Sequence, residues 1–335
     1  MTVRFGLLGA GRIGKVHARA INGDADARLV AVADAMAPAA EAIAAQYGCA
    51  VRSIDAIEAA SDIDAVVICT PTDTHADLIE RFARAGKAIF CEKPVDLSLA
   101  RVRDCLRVVK AEKAQLMVGF NRRFDPHFRA VRAAIDAGTI GKVEMVTITS
   151  RDPGAPPIAY VKTSGGIFRD MTIHDFDMAR FLLGEEVDSV QAAASVLTDP
   201  AIGVAGDYDS VSVILTTASG RQCIISNSRR ATYGYDQRIE VHGSLGSVSA
   251  ENQRPVSIEV ATGAGYTRPP LHDFFMTRYT EAYAAEIAAF IAAITKGTMI
   301  SPDGNDGMAA LALSEAALRS AHEGRTVKVS EILKI

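Results

Sequence analysis

Tryptophan is absent from this sequence of 335 residues, and cysteine is scarce. The five cysteines are scattered along the chain, with no Cys-x-x-C pair, at Cys49, Cys69, Cys91, Cys105 and Cys223. An odd, unpatterned set argues against a disulfide framework or a zinc site of the Cys/His type. We therefore expect reduced thiols, as in a protein of the cytoplasm.

The chain also lacks a strong excess of charge and a long apolar run. Its formal net charge is -4, which gives no reason to expect nucleic acid or an anionic membrane as partner. No apolar segment is long enough to span a bilayer, and the chain enters an apolar strand at Val3, leaving no room for a signal peptide. Hydrophobic residues make up 49% and charged residues 23%, so we expect a soluble protein of two domains.

The most informative segment is the apolar run from Val3 to Leu8 followed by Gly-x-Gly-x-x-Gly. The turn consists of Gly9, Ala10, Gly11, Arg12, Ile13 and Gly14. Such a turn between a strand and a helix binds the pyrophosphate of a dinucleotide, with the helix N-terminus supplying free N–H groups. The first glycine allows the sharp turn, the second the close approach of phosphate, and the third the packing of helix on sheet.

Asp34 ends the next apolar run, twenty residues after Gly14. A carboxylate at this place accepts hydrogen bonds from the adenosine ribose hydroxyls and repels a 2′-phosphate. The residues that follow, Ala35 to Ala37, include no Arg or Lys that would receive such a phosphate. The sequence therefore predicts NAD rather than NADP, although a solvated turn aspartate is the alternative interpretation of Asp34.

Up to about residue 120, apolar strands alternate with helical segments. The predicted strands are Arg4–Leu8, Leu29–Ala33, Ala65–Cys69, Ala88–Cys91 and Leu116–Gly119, and the predicted helices are Gly14–Asn22, Pro38–Tyr47, Thr74–Ala85 and Ser98–Lys110. Continuous apolar strands separated by helices predict a parallel sheet that is covered on both faces. Ligands of such sheets bind at the carboxyl ends of the strands.

After about residue 140 the pattern becomes one of short strands separated by turns. The predicted strands are Val143–Ser150, Ser189–Val196, Ser210–Thr217, Gln222–Ser226, Gln237–His242 and Ser247–Ser249, and helices follow near Phe274–Thr295 and Asn305–His322. We expect a mostly antiparallel sheet here. The sequence thus predicts an α/β protein with a dinucleotide-binding domain at residues 1–122 and a second α/β domain at residues 123–335.

Three polar clusters follow strands of the first domain, where the nicotinamide end of a dinucleotide should lie. They comprise Thr70, Pro71, Thr72 and His75 after the third strand, Glu92, Lys93 and Pro94 after the fourth, and Asn121 and Arg122 after the fifth. Lys93, on a short turn next to a proline, can donate a hydrogen bond to a substrate oxygen. Taken alone, it is better explained as an ordinary surface lysine.

A further polar group lies in the segment from Gly165 to Asp177. If this segment is helical, Asp170, His174 and Asp177 lie on one stripe, and the carboxylate can orient the imidazole and raise its basicity. A solvated amphipathic face, or a core histidine satisfied by Asp170, would explain the same pattern. A metal site is a further alternative, but no His/Cys cluster or second carboxylate pair supports it, and we expect none.

Together these segments resemble the glucose–fructose oxidoreductase / inositol dehydrogenase / rhizopine catabolism (Gfo/Idh/MocA) family. The resemblance rests on the N-terminal glycine turn, on Glu92-Lys93-Pro94, on the segment from Gly119 to Asp125, on the block from Gly165 to Asp177, and on the segment from Asp303 to Gly307. Within the family, Ser150 to Pro153 and Phe168 to Asp177 look most like inositol 2-dehydrogenases.

The resemblance implies a Rossmann domain followed by an α/β domain with a large open, mostly antiparallel sheet, assembled as a homotetramer through those sheets. It implies oxidation of myo-inositol to 2-keto-myo-inositol (scyllo-inosose) with NAD. Lys93 would bind the reacting oxygen, His174 would be the acid/base, and Asp170 would be their partner.

The resemblance also implies a substrate-binding set. Its members are Lys93, Arg122, Asp152, Asp170, His174, Asp177, Tyr233 and Tyr235, with Tyr279 or Tyr283 as alternatives to the two other tyrosines. A dehydrogenase of another polyol or sugar, such as scyllo-inositol or glucose, and a noncatalytic NAD-binding sensor remain the alternative functions.

Overall fold

The computed structural model describes residues 1–334, which divide into two compact units. The first unit comprises Met1–Asp125 and Thr280–Leu311, and the second comprises Pro126–Tyr279 and the chain from Ala312 onward. No single point in the sequence divides the two units, because the late segment Thr280–Leu311 belongs to the same unit as the N-terminal part.

The first unit contains a parallel sheet of six strands. The strands are β1 (Val3–Leu8), β2 (Ala27–Ala33), β3 (Ala50–Val51), β4 (Ala65–Ile68), β5 (Ala88–Cys91) and β6 (Leu116–Val118). The helices up to this point are α1 (Arg12–Asn22), α2 (Ala37–Tyr47), α3 (Ile54–Ala59), α4 (His75–Arg84) and α5 (Leu99–Ala111). The strand order β3-β2-β1-β4-β5-β6 is that of a Rossmann fold. This confirms the predicted parallel sheet.

The sequence pattern missed β3 and α3, which are too short to show a period. It placed the other strands and helices of this part within about two residues, a normal uncertainty of helix and strand ends. The side chains of β4 and β5 are buried throughout, as a sheet covered on both faces requires.

The second unit follows a short 3₁₀ turn at Asn121–Phe124. Its helices are α6 (Pro126–Asp136), α7 (Ile158–Val161), α8 (Ile167–Asp170), α9 (Ile173–Leu183), α10 (Pro200–Val204) and α11 (Phe275–Arg278). Its strands are β7 (Val143–Arg151), β8 (Val187–Ser195), β9 (Ser210–Thr217), β10 (Gln222–Ser228), β11 (Asp236–Gly243), β12 (Gly246–Ala250), β13 (Val260–Thr262) and β14 (Gly265–Thr267).

The last elements of the chain are two long helices and a short C-terminal strand and helix. They are α12 (Thr280–Lys296), α13 (Gly304–Glu323), β15 (Val327–Lys328) and α14 (Val329–Leu333). In the first unit α12 packs beside β1 and α1, with the ring of Phe290 6.2 Å from that of Phe5 and 5.9 Å from that of Phe90. This helix thereby completes the apolar core on one face of the parallel sheet.

The large sheet of the second unit has seven strands in the order β12-β11-β7-β10-β9-β8-β15. Among its described pairs only β7 and β10 run parallel, so the prediction of a mostly antiparallel sheet is confirmed. Helix α9 packs on one face, against β7 and β10. On the other face Ile214 and Ile224 stand opposite each other with substantial exposure.

Two predictions of helix and strand were incomplete. The helix predicted near Phe274–Thr295 is divided into α11 and α12, because Tyr279 has non-helical torsion angles (φ −110°, ψ 23°) and packs its ring against Tyr235. The small hairpin of β13 and β14 and the edge strand β15 were missed, since each has only two or three residues. No helix among residues 1–334 is both long and apolar enough to cross a membrane.

Candidate active site

The glycine turn after β1 has the geometry that its sequence requires. Gly9 has φ +96°, and a Cβ there would lie 2.5 Å from the carbonyl oxygen of Cys69. A Cβ at Gly14 would lie 2.1 Å from the carbonyl oxygen of Gly9, so helix and turn could not pack. A Cβ at Gly11 would meet no atom within 4 Å. The space next to Gly11 at the start of α1 is therefore open to a phosphate group.

Asp34 lies at the end of β2 and contacts the glycine turn directly. One carboxylate oxygen accepts a hydrogen bond from the N–H of Ala10 at 2.5 Å, and the other accepts from the N–H of Met36 at 2.7 Å. The carboxylate is thus held in place by two backbone amides, and within residues 1–334 no cationic side chain forms an ion pair with it. This geometry differs from that of a freely solvated turn aspartate, and it leaves the acceptor lone pairs that a ribose requires.

The cluster after β4 is organised by a buried histidine. The ring nitrogens of His75 lie 2.8 Å from the carbonyl oxygens of Pro94 and Thr70. The hydroxyls of Thr70 and Thr74 lie 2.6 Å apart. His75 therefore links the two loops that follow β4 and β5, and its ring nitrogens are occupied by these carbonyls. Contact of the sequence-predicted residues Thr70, Pro71 and Thr72 with a cofactor stays a prediction.

After β5 the chain turns at Glu92-Lys93-Pro94, and the Glu92 carboxylate is inside the unit. Its Oε1 lies 2.7 Å from Nε2 of His17, and its Oε2 accepts from the backbone N–H of Lys93 at 3.3 Å. The Lys93 side chain is half-buried. The turn that contains Lys93 is therefore held by the side chain of the preceding residue, and donation by the Lys93 side chain to a substrate stays a prediction.

After β6 the chain enters the 3₁₀ turn with Asn121 and Arg122, both buried. Among the described residues, no hydrogen-bond partner reaches Nδ2 of Asn121. A buried amide donor without a partner is costly unless a ligand or water accepts from it. Asn121 is therefore suited to a cofactor polar group at the carboxyl end of the sheet.

These features of the first unit fit a nicotinamide dinucleotide. The open space at Gly11, the fixed carboxylate of Asp34 and the amide of Asn121 lie after three different strands of one parallel sheet, along its carboxyl edge. That edge is where doubly wound sheets bind dinucleotides.

In the second unit the segment with Asp170 and His174 is not one continuous helix. The amides of both Met171 and Thr172 bond to the carbonyl of Ile167, and the carbonyl of Phe168 accepts instead from the Ser314 hydroxyl at 3.0 Å. The helix is interrupted there, so α8 ends at Asp170 and α9 begins at Ile173. The predicted single helical stripe was wrong in this respect.

Asp170 is bound by two residues that the sequence did not reveal. The Tyr160 hydroxyl donates to Oδ1 at 2.8 Å, and the guanidinium of Arg229 lies 3.3 Å from Oδ2. Arg229 is 1% exposed and also lies 3.6 Å from Asp207. Arg229 follows β10, far from Asp170 in sequence, and no local pattern could have indicated the pair.

His174 and Asp177 both lie on α9 but differ in burial. His174 is half-buried near the start of the helix, whereas Asp177 is fully buried. Asp175 is also buried and accepts from Nδ2 of Asn227 at 2.8 Å. A solvated amphipathic face is thereby excluded as the explanation of this polar pattern.

The remaining sequence-predicted residues of the second unit occupy different surroundings. Asp152 directly follows β7 and pairs by its backbone with Ser228. Tyr233 is half exposed, and its hydroxyl donates to Asp236 at 2.6 Å; burial and this hydrogen bond raise the pKa of Tyr233. Tyr235 is buried, with its ring 5.8 Å from that of Phe274.

Of the two alternative tyrosines, Tyr279 belongs to the second unit and Tyr283 to the first. The Tyr279 hydroxyl donates to Oε1 of Gln237 at 3.2 Å, and the Tyr283 ring packs at its edge on His17. Both are buried.

The family comparison agrees with this architecture. Residues 3–120 match the model of an oxidoreductase family with an NAD-binding Rossmann fold, and residues 128–249 match that of the GFO/IDH/MocA C-terminal domain. The chain belongs to the GFO/IDH/MocA family of oxidoreductases, and its cofactor is NAD.

Similar proteins extend over nearly the whole chain. An inositol 2-dehydrogenase of Rhizobium meliloti is 79% identical, over 98% of this chain and 100% of the relative. The crystal structure of a myo-inositol dehydrogenase from Corynebacterium glutamicum matches with a TM-score of 0.94 at 43% identity, covering 98% of this chain and 99% of that one. A scyllo-inositol dehydrogenase from Lactobacillus casei, with bound NAD(H) and scyllo-inositol, matches with a TM-score of 0.92 at 28% identity, covering 98% of this chain and all of the other.

Proposed function

We propose that this protein is an inositol 2-dehydrogenase, which oxidises myo-inositol to 2-keto-myo-inositol (scyllo-inosose) with NAD. The observation that supports this most strongly is the full-length similarity, at 79% identity, to an inositol 2-dehydrogenase. The chain also retains the groups that this reaction needs, since it contains a base, a cationic donor and an NAD-type turn.

In the proposed reaction, bound NAD is the hydride acceptor. His174 takes the proton of the reacting hydroxyl, and the C–H electron pair leaves as hydride, so that a ketone and one released proton result. Lys93 stabilises the oxygen as negative charge develops on it, a contribution that grows toward the transition state. Asp170, itself held by Arg229 and Tyr160, orients the base.

We assign recognition of the other hydroxyls of the substrate to Arg122, Asp152, Asp177, Tyr233 and Tyr235. Sites that hydrogen-bond a hydroxyl reject analogues without it by about 10⁴-fold or more. Asp177 is buried on α9, the helix that also carries His174. We propose that the first unit, which contains residues 1–122, binds NAD, and that the second unit, which contains most of residues 123–335, binds the substrate and mediates assembly.

For the assembled enzyme we propose a homotetramer formed through the uncovered face of the seven-stranded sheet. On that face Ile214, Ile224 and Met145 of three neighbouring strands are 43%, 37% and 40% exposed. Contiguous exposed apolar side chains on a sheet favour burial against a second copy. We also propose a cytoplasmic location, which suits the free cysteines at positions 49, 69, 91, 105 and 223.

The experiment that tests the function is a substrate panel with the purified protein and NAD. Reduction is followed at the nicotinamide absorbance with myo-inositol, scyllo-inositol, glucose and other polyols. The proposal requires the highest kcat/KM with myo-inositol and a 2-keto product. Preference for scyllo-inositol or glucose would reassign the substrate, and tight NAD binding without turnover on any polyol would indicate a sensor.

A further inference from the structure

Three ionisable side chains of the first unit meet in its interior. His17 comes from α1, Glu92 from the turn after β5 and Glu286 from α12, and all are buried. One ligand-type atom of each lies within 4.8 Å of those of the other two. Among the described residues, neither oxygen of Glu286 has a hydrogen-bond partner. A fully buried carboxyl next to a second carboxyl is expensive in its charged form.

Glu92 is the member of this cluster that accepts a hydrogen bond from the backbone of the turn, at the N–H of Lys93. Its Oε1 is held by Nε2 of His17 at 2.7 Å and its Oε2 by the N–H of Lys93 at 3.3 Å. A Cβ at position 119 would lie 3.1 Å from this carboxylate, so Gly119 leaves the room that the carboxylate occupies. The orientation of the turn with Lys93 therefore depends on Glu92 being an acceptor on both oxygens.

The carboxyl groups of Glu92 and Glu286 lie so close together that either a proton or a bound cation must reduce their repulsion. Ligand atoms of a tetrahedral divalent ion stand at about 2.0–2.2 Å from it, and thus more than about 3 Å from each other. The His17–Glu92 distance of 2.7 Å is instead that of a direct hydrogen bond. The geometry of this pair favours a proton. Burial, and secondly the charge of Glu92, raise the pKa of Glu286.

We propose that Glu286 is protonated at neutral pH, and that Glu92 anchors the turn that contains Lys93 through its contacts with His17 and the Lys93 backbone N–H. His17, Glu92 and Glu286 are then positioning residues. The protonation of Glu286 is independent of the reaction, whereas the positioning of Lys93 rests on the proposed function.

Two further ionisable side chains among the described residues lie near this cluster. Cys69, which follows β4, interacts electrostatically with Glu286, and Tyr283 lies one turn earlier on α12 with its ring against His17. Burial, and secondly the charge of Glu92, keep the pKa of Cys69 well above its usual value, so the thiol is neutral. Neither Cys69 nor Tyr283 supplies a cation that would stabilise an ionised Glu286, and the Nε2 atom of His17 lies against Glu92 at 2.7 Å.

The first experiment is infrared spectroscopy of the whole protein at pH 7 to 8, in which the spectrum of each variant is subtracted from that of wild type. Wild type should show the carbonyl band of a protonated carboxyl group, and Glu286→Gln should lack it. Glu281→Gln, an exposed residue on the same helix, is the matched control and should retain the band. A wild-type spectrum without this band would overturn the proposal, as would a bound metal ion at one equivalent whose removal destabilises the wild type but not Glu286→Gln.

The second experiment is denaturant unfolding as a function of pH. In the folded protein Glu286 retains a proton that it loses in the unfolded chain above about pH 4.3. The ratio of folded to unfolded protein should therefore fall by up to tenfold for each unit of rising pH. Glu286→Gln should remove this slope between pH 5 and 8, and Glu281→Gln should not. Parallel profiles for wild type and Glu286→Gln would contradict the proposal.

The third experiment separates positioning from general structural support. Glu92→Gln replaces one acceptor oxygen with a donor, and a displaced Lys93 should lower kcat by about 10²-fold. In a Lys93→Met background the same change should cost less than about threefold, because the group that it positions is gone. Equal losses in both backgrounds would show that Glu92 does not act through Lys93. If no polyol is oxidised at all, the function fails, while the infrared and unfolding results still decide the state of Glu286.

Discussion

The guanidinium of Arg229 lies 3.3 Å from the carboxylate of Asp170, deep in the second unit. The same guanidinium faces Asp207 at 3.6 Å, and the backbone N–H of Arg229 bonds to the carbonyl of Asp209 at 2.8 Å. One buried cation thus compensates two carboxylates. Removal of such a partner usually costs more than the pair contributes, since the remaining charges stay buried.

Arg229→Met should therefore lower the free energy of unfolding by about 3–5 kcal/mol. Arg230→Met is the matched control, since Arg230 is exposed and its guanidinium donates to the carbonyls of Leu197 and Thr198, and it should cost less than about 1 kcal/mol. Denaturant titration of both variants measures the difference. Adding Asp170→Asn to Arg229→Met should recover part of the loss, and strict additivity would show that the two residues do not interact.

Asp34→Ala should narrow the preference for NAD over NADP. The variant loses the carboxylate that repels a 2′-phosphate, and the N–H of Ala10 loses its acceptor. Loss of a charged hydrogen bond costs about 1.5–3 kcal/mol, so kcat/KM for NAD should fall by roughly ten- to 10²-fold in Asp34→Ala. Kinetics with both cofactors measure this, with the exposed Asp26→Ala as control. Preference of the wild type for NADP would contradict the role of Asp34.

Because of Asp209, the free energy of unfolding should decrease when the pH is lowered into the acid range. Burial opposes ionisation, but the carboxylate accepts from the amides of Leu197, Thr198 and Asp199 at 2.8, 2.8 and 3.1 Å, which lowers the pKa of Asp209 to about 2. Because the folded pKa is depressed, its contribution is complete above about pH 4 and is lost as the pH falls through about 2.

The matched pair for this test is Asp209→Asn and Asp199→Asn. Asp209→Asn should cost about 1–3 kcal/mol at pH 7, and the difference from wild type should shrink below about pH 4. Asp199→Asn, at the N-cap of α10, should stay within about 0.5 kcal/mol, since asparagine caps equally well. A wild-type advantage over Asp209→Asn that persists at pH 2 would refute the assignment.

His174→Ala should reduce kcat by about 10²–10⁴-fold while leaving the Kd for NAD close to that of wild type. Lys93→Met should lower kcat in the same range, because the charge that develops on the oxygen loses its donor. The exposed His322→Ala is the control and should retain full turnover. Stopped-flow turnover and fluorescence titration of NADH provide the two measurements. Activity of His174→Ala within a few-fold of wild type would exclude His174 as the base.

The strong periodicities of the sequence were sufficient for the parallel sheet and for most of the second sheet. Gly9, Gly14 and Asp34 were predictable because they belong to one motif whose spacing along β1, α1 and β2 is fixed, and the contact of Asp34 with Ala10 agrees with that reasoning. Short elements such as β3 and β15 lack a period and were not predicted.

The partners of site residues were not predictable, because they come from distant segments. Arg229 reaches Asp170 across 59 positions of sequence, and Glu92 is held by His17 across 75. The break between α8 and α9 has a similar origin, since the Ser314 hydroxyl takes the carbonyl that would have continued the helix. Tertiary hydrogen bonds, and not local preference, decide these details.

The central proposal is hydride transfer from the C2 carbon of myo-inositol to NAD, and isotope transfer tests it most directly. The enzyme is incubated with NAD and myo-inositol that has deuterium at C2, and the reduced cofactor and the product are analysed by mass spectrometry. We predict one deuterium in the reduced cofactor, none in the keto product, and no reaction with His174→Ala on the same timescale. Reduced cofactor without deuterium, or no reduction by myo-inositol, would contradict the account.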